Sequence, residues 1–132
     1  MGATSWQNFG MERLEPMAPA AIAALWVRYF NAHDVTSLVR LYAENGRHTS
    51  PRIHVLHPET DGDLIGRSAL AQWWEASLRT TPNLQYETLA IVGDDDRAYV
   101  EYVRHAPPDP DTVVVERFEV RDGHIVSSRV FL

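Results

Sequence analysis

The feature that most constrains this chain is a short apolar strand that passes through a single glycine directly into an amphipathic helix. The segment is Leu64-Ile65-Gly66-Arg67-Ser68-Ala69-Leu70, and the helix continues through Trp73 and Trp74. Helical patterns precede this junction, and four strand-like runs follow it. We therefore expect an α+β fold, a cone in which three N-terminal helices pack on a curved, mostly antiparallel sheet.

Composition excludes several classes of function. The 132 residues, 45% of them hydrophobic, suffice for one domain with a sizeable core. Twelve basic and 18 acidic side chains give a net charge of -6, which disfavours nucleic acid and anionic membranes as partners. The lack of cysteine excludes thiolate chemistry. The negative charge fits a small neutral or weakly polar molecule better, and we expect a small hydrophobic ligand. Because no apolar run approaches the ~20 residues of a membrane span and no secretory signal pattern is present, we expect a cytoplasmic protein.

The chain divides into an N-terminal arm, residues 1–18, and a single domain, residues 19–132. In the arm, Trp6 and Phe9 are candidates to dock on the domain or on a second subunit. In the domain, Asp34 is a favourable N-cap for a second helix, which is expected to include Tyr42 and to end at Asn45-Gly46. The other predictions are a helix from Pro19, a helix over residues 68–80, an irregular connection over residues 52–62, and strands over residues 47–51, 84–92, 97–105, 112–121 and 124–132.

The order of these elements and three short segments resemble the nuclear transport factor 2-like superfamily. The segments are Asn31-Ala32-His33-Asp34, Tyr42-Ala43-Glu44-Asn45 and Ile65-Gly66-Arg67, and the likeness covers residues 19–132. Within the superfamily the chain is most similar to the SnoaL-like polyketide cyclases and the ketosteroid isomerases. The resemblance implies a cystatin-like α+β barrel around a deep apolar pocket, and a homodimer that pairs through the sheet.

The isomerase resemblance also assigns three site positions. Ser50, just before Pro51, stands where the isomerases have their catalytic base, and Trp26 stands where they have a tyrosine. Because a serine does not take a proton from carbon unaided at neutral pH, the base of that reaction is replaced here. Glu116 aligns with the protonated carboxyl group of the penultimate strand, so the acid is kept.

Strand alternation singles out Glu116 independently. It places Val114, Glu116, Phe118 and Val120 on one face, which is the apolar one. Burial there would raise the pKa of Glu116, so that the group acts as a hydrogen-bond donor or a general acid. The alternative is a structural pairing of Glu116 with an arginine such as Arg129.

Other candidate catalytic residues lie on neighbouring predicted strands. Neither face of the strand at 97–105 is clearly the core; if one faces the pocket, Glu101 and His105 join Glu116, and otherwise they are solvated. His48 shares a strand face with Ser50, and an ordinary pKa near 6.5 makes it the best candidate for a general base. The alternative for His48 is a hydrogen-bonded filler. The spacing of His48, His54 and His57 matches no known ligand motif, so we expect no metal, and we expect no cofactor.

Aromatic side chains from several elements are expected to line the pocket. Trp73 and Trp74 lie about 100° apart on a helix, so one of them should line a rim, a pocket or an interface. The residues predicted to bind substrate are Trp26, Tyr29, Tyr42, Ser50, Trp73 and Phe118. The leading hypothesis is a cofactor-independent acid/base enzyme, an isomerase, cyclase, hydratase or lyase, for a compact hydrophobic carbonyl or aromatic substrate. The alternative is a non-catalytic ligand-binding or protein-association domain of the same fold.

Overall fold

Helices and strands alternate in the first half of the domain, and four strands complete it. The computed structural model describes residues 16–131, so the predicted contacts of Trp6 and Phe9 lie outside the described residues. Within that range there are four α-helices: α1 (Pro19–Asn31), α2 (Val35–Arg40), α3 (Pro51–Leu56) and α4 (Arg67–Thr80). The strands are β1 (Tyr42–Thr49), β2 (Asp63–Ile65), β3 (Gln85–Gly93), β4 (Arg97–His105), β5 (Thr112–Arg121) and β6 (His124–Phe131).

The six strands form one sheet in the order β2-β1-β6-β5-β4-β3. Neighbouring strands are antiparallel except for β1 and β6, which are parallel. The helices pack on this curved sheet, and α1 contacts β3, β4 and β5. The predicted α+β class, with helices on a curved and mostly antiparallel sheet, is therefore confirmed.

The prediction that the second helix includes Tyr42 and ends at Asn45-Gly46 is wrong. Helix α2 ends at Arg40, and Tyr42 is the first residue of β1. The Leu41 carbonyl accepts from the Ile125 amide at 2.8 Å, so a contact between distant parts of the chain overrides the local helical spacing. Asn45-Gly46 lies inside β1 at a register shift against β6, and a Cβ at Gly46 would come within 3.0 Å of Tyr42 Cβ. Glycine is needed there for close packing and not for a helix stop.

The connection over residues 52–62 contains a fourth helix that the sequence reading did not predict. Ser50 caps α3, because its side chain accepts from the Arg52 amide at 3.1 Å, and Pro51 occupies the first helical turn. The helix has only six residues, and Ile53 is its one buried side chain. A helix this short shows no apolar periodicity, so the sequence pattern alone predicts an irregular connection there.

The strand-to-helix junction at Gly66 fixes helix α4 against β1. Gly66 has a φ of 96°, which favours glycine, and its amide donates to the Gly46 carbonyl at 2.8 Å. The Arg67 guanidinium donates to the Tyr42 carbonyl through Nε at 2.9 Å and through Nη2 at 2.6 Å. These contacts set the rotation of α4, which buries Trp74 and leaves Trp73 half-buried.

The outer face of the sheet carries exposed apolar side chains, among them Val92, Val113 and Phe131. This is the face through which the resemblance implies pairing, and the homodimer stays a prediction. Among the helices within residues 16–131, none is both long enough and apolar enough to span a membrane.

Candidate active site

A cavity of about 380 Å³ opens between the helices and the inner face of the sheet. Its size is typical of small-molecule sites. Most of its wall is apolar, and polar side chains reach it from β1, β3, β4, β5, the start of α3 and the last turns of α4. The lining residues include Trp26, Phe30, His48, Ser50, Arg52, Trp73, Trp74, Tyr86, Tyr102, Arg104, Val114 and Glu116.

The apolar wall is built around Trp26 in α1. Its ring stacks on Phe30 at 5.2 Å and on Tyr86 at 6.0 Å, and it meets the edge of Trp74 at 6.0 Å. Trp74 is buried, whereas Trp73 is half-buried and lines the cavity, as the 100° spacing on the helix predicts.

Three residues predicted to bind substrate do not line the cavity. Tyr42 and Phe118 are fully buried, and Phe118 packs behind Trp26 with ring centroids 5.4 Å apart. Tyr29 packs against the edge of the core. These three side chains pack behind the residues that line the cavity. Of the residues predicted to bind substrate, Trp26, Ser50 and Trp73 do line it.

Glu116 lies on the inner face of β5, as the alternation of that strand predicts. Its side chain is 1% exposed. Tyr102 on β4 donates to Oε1 at 3.0 Å, while Oε2 has no hydrogen-bond partner among the described residues. Burial raises the pKa of Glu116 to about 8, against the smaller opposing effect of the Tyr102 hydrogen bond. The group is therefore mostly protonated at neutral pH, and because Oε1 accepts from Tyr102, we assign the proton to Oε2. The alternative pairing with Arg129 does not occur, because Arg129 is exposed and lies over Phe131.

His48 lines the cavity beside Glu116, but its environment does not suit a base. It is 3% exposed, and burial lowers its pKa to about 3. At neutral pH the imidazole is uncharged and holds an additional proton poorly. His48 Nδ1 lies 3.8 Å from Glu116 Oε2, yet both groups are neutral, so they do not form an ion pair.

A chain of buried hydrogen bonds fixes the tautomer of His48. Trp26 Nε1 donates to the Tyr42 hydroxyl at 3.0 Å, and this hydroxyl lies 2.7 Å from Ser128 Oγ. Ser128 Oγ in turn lies 2.7 Å from His48 Nδ1. The indole can only donate, so the Tyr42 oxygen accepts from it. Both hydroxyl protons then find an acceptor in this chain only if Tyr42 donates to Ser128 and Ser128 donates to His48 Nδ1. The proton of neutral His48 is then on Nε2.

The prediction that His48 is the general base is therefore not supported by its surroundings. Its basic nitrogen, Nδ1, is occupied by Ser128, and its other nitrogen carries the proton. A neutral imidazole of this kind is a hydrogen-bond donor toward a ligand. Ser50 also lines the cavity, but its hydroxyl serves the N-terminus of α3.

The prediction that Glu101 and His105 join Glu116 is wrong. Ala98, Val100 and Tyr102 are the buried face of β4, so the alternate residues point to the other side of the sheet. Glu101 is exposed, and His105 lies between Glu87 at 2.9 Å and Asp111 at 3.0 Å, which raise its pKa.

The sequence patterns did not identify several polar residues of the site, among them Arg52, Arg104, Tyr102 and Ser128. Tyr102 lies on a strand whose two faces are not distinguished by alternation, and Ser128 belongs to no motif. Alternation along β6 predicts that Ser128 and Val130 share the inner face of the sheet. A serine at such a position is ordinarily expected only to fill space in the core, so its contact with His48 could not be predicted. His48, His54 and His57 do not converge either: within residues 16–131 no three His, Asp or Glu side chains are arranged to hold a metal ion.

A family model described as the SnoaL-like domain matches residues 23–128. The chain belongs to the SnoaL-like domain family. The resemblance predicted from the helix hairpin and the Gly66 junction is thus confirmed, and so is the fold that it implied. Among proteins of curated function, none matches the sequence of this SnoaL-like protein.

Several solved structures share this SnoaL-like fold. A SnoaL-like protein of unknown function from Burkholderia thailandensis matches with a TM-score of 0.75 and 23% identity, over 86% of this chain and 92% of that one. A candidate polyketide cyclase from Sinorhizobium meliloti matches with a TM-score of 0.71 and 18% identity, over 84% of this chain and 94% of that one. A candidate ketosteroid isomerase from Kribbella flavida matches with a TM-score of 0.69 and 21% identity, over 86% of this chain and 76% of that one. At these identities the comparison establishes the fold, and the site must be argued from its own geometry.

Proposed function

We propose that this SnoaL-like protein is a cofactor-independent acid catalyst for a compact hydrophobic carbonyl compound. The observation that carries the proposal is Glu116 Oε2, a buried acid oxygen in the cavity wall that has no hydrogen-bond partner within residues 16–131. An unpartnered buried polar group costs about 1–3 kcal/mol, a cost that a ligand oxygen accepting its proton would remove. Glu116 is the proton donor to that oxygen.

His48 supplies a second donor from the same part of the wall. With its proton on Nε2 it stabilises negative charge that develops on the substrate oxygen, while Ser128 holds the ring in place. Tyr102 keeps the Glu116 carboxyl oriented. Two neutral donors in an apolar cavity favour enolisation of a ketone, the step from which isomerisation, aldol-type cyclisation and β-elimination of carbonyl compounds begin.

A non-catalytic ligand-binding role is the second candidate, and one observation favours it. Among the described residues no ionised carboxylate lines the cavity, because Glu116 is its one acidic residue and is neutral. Enolisation needs an acceptor for the α hydrogen, and in this site water has to serve. A pocket of this kind can bind a carbonyl compound without turning it over.

Exchange of α hydrogens for deuterium separates the two candidates. We expect the protein to accelerate exchange in 2-tetralone or a steroid enone in D₂O, followed by NMR, above the rate in buffer. The ratio of the two rates should fall as pH rises through about 8, because the carboxyl that donates at neutral pH ionises there. Ligands that bind while exchange stays at the buffer rate at every pH would identify a binding protein.

A further inference from the structure

The charge of the cavity is opposite to the charge of the chain. The sequence carries a net charge of -6, yet the charged side chains in the cavity wall are Arg52 from α3 and Arg104 from β4. Glu116, the one acidic residue of the wall within residues 16–131, is mostly protonated at neutral pH. A cavity lined in this way is locally positive, and such a field concentrates ligands of opposite charge.

Both arginines line the cavity together with Tyr86. Arg104 lies directly opposite Tyr86 in the pairing of β3 with β4. Burial is the main cause that raises the pKa of Tyr86, the charge of Glu116 adds to it, and the charges of Arg104 and, more weakly, Arg52 oppose it. The raised pKa of Glu116 follows from burial opposed only by Tyr102. The Tyr86 hydroxyl is therefore close to the arginines and to the acid, while no guanidinium group pairs with Glu116 among residues 16–131.

The two guanidinium groups keep hydrogen-bonding capacity for a ligand. Arg104 is 18% exposed and has one long contact, from Nη1 to Asp109 Oδ2 at 3.9 Å, with an aspartate that is itself 65% exposed. In the part of the chain that the structure describes, Arg52 makes no ion pair with a carboxylate. A guanidinium carries five N–H donors in a planar fork that matches a carboxylate.

We propose that the ligand of this cavity is an apolar molecule with a carboxylate at one end, which pairs with Arg52 and Arg104 while its carbonyl group lies toward Glu116. The inference deepens the proposed function by naming the substrate class, a hydrophobic oxo acid. It rests on the proposed function only for the position of the carbonyl group.

Binding of a matched pair of probes tests the proposal without any turnover. Naphthalene-2-carboxylate and naphthalene-2-carboxamide have nearly the same shape and differ in charge. At pH 7 we expect the carboxylate to bind about tenfold more tightly by calorimetry, which corresponds to about 1.4 kcal/mol from two partly exposed ion pairs. Arg52→Gln and Arg104→Gln should each reduce this preference by about threefold, and the double variant should abolish it.

Matched controls separate charge from structure. Asp109→Asn breaks the same ion pair as Arg104→Gln but keeps the guanidinium, so it should preserve or increase the preference for the carboxylate. The exposed Arg121→Gln should leave it unchanged. Equal binding of the two probes, or a preference that survives in the double variant, would overturn the proposal. If the preference holds in wild type and in Glu116→Gln while ketone exchange is absent, the catalytic proposal alone fails.

Discussion

Glu116→Gln is expected to slow ketone exchange by about 100-fold or more while the protein stays folded. Glutamine and protonated glutamic acid have nearly the same shape and are both neutral, so the contact from Tyr102 can persist. The amide still donates a hydrogen bond but cannot transfer a proton, and the loss of a general acid or an oxyanion donor costs this much in other enzymes. Exchange rates followed by NMR, with the melting temperature as the folding measure, test this expectation.

Glu101→Gln is the matched control for this variant. Glu101 lies on the neighbouring strand but on the exposed face of the sheet. The same chemical change there should leave exchange at the wild-type rate, because the side chain does not reach the cavity. If the exchange rate falls equally in the two variants, or if Glu116→Gln keeps the wild-type exchange rate, Glu116 is not the proton donor.

Trp26→Ala is expected to destabilise the protein by about 3–5 kcal/mol, the usual cost of truncating a buried large aromatic side chain. Trp26 is 1% exposed and contacts Phe30, Tyr86 and Phe118 as well as Trp74. Its indole also donates to Tyr42, so the truncation removes the first member of the hydrogen-bond chain that ends at His48. Urea unfolding at neutral pH measures the free energy of unfolding.

Two companion variants make this second prediction specific. Trp73→Ala removes a half-buried indole at the cavity rim, so its free energy of unfolding should fall by much less. Trp26→Phe keeps an aromatic ring in the core but removes the donor, and about 1–3 kcal/mol is expected for leaving the Tyr42 hydroxyl short of a partner. A comparable decrease in the free energy of unfolding for Trp26→Ala and Trp73→Ala would contradict the central position of Trp26 in the core.

The fold and the acid could be predicted from sequence because local patterns encode them. Strand β5 alternates strictly, so Glu116 had to share the face of Val114 and Phe118. Gly66 marks a strand-to-helix junction that requires a positive φ, and its φ in the structure is 96°. In β4, by contrast, tyrosine and valine occur on both faces, and alternation alone does not reveal which face is buried.

The role of His48 depends on groups that are distant in sequence. Its lowered pKa comes from burial under elements that are assembled only in the folded chain, and its tautomer comes from Ser128, 80 residues away. An ordinary pKa near 6.5 was therefore the wrong basis for assigning it as a base. Tyr42 was misplaced for a similar reason, since the Leu41 carbonyl is bound by a strand at the other end of the chain.

The protonation of Glu116 is the central claim, and an infrared titration measures it directly. Above pH 6 the ordinary carboxyl groups of the chain are ionised, so a band from a protonated carboxylic acid, absent in Glu116→Gln and present in Glu101→Gln, belongs to Glu116. We predict that this band persists at pH 7 and disappears with a midpoint near pH 8. A spectrum at pH 7 without the band, or a midpoint near the ordinary 4.5, would contradict the account.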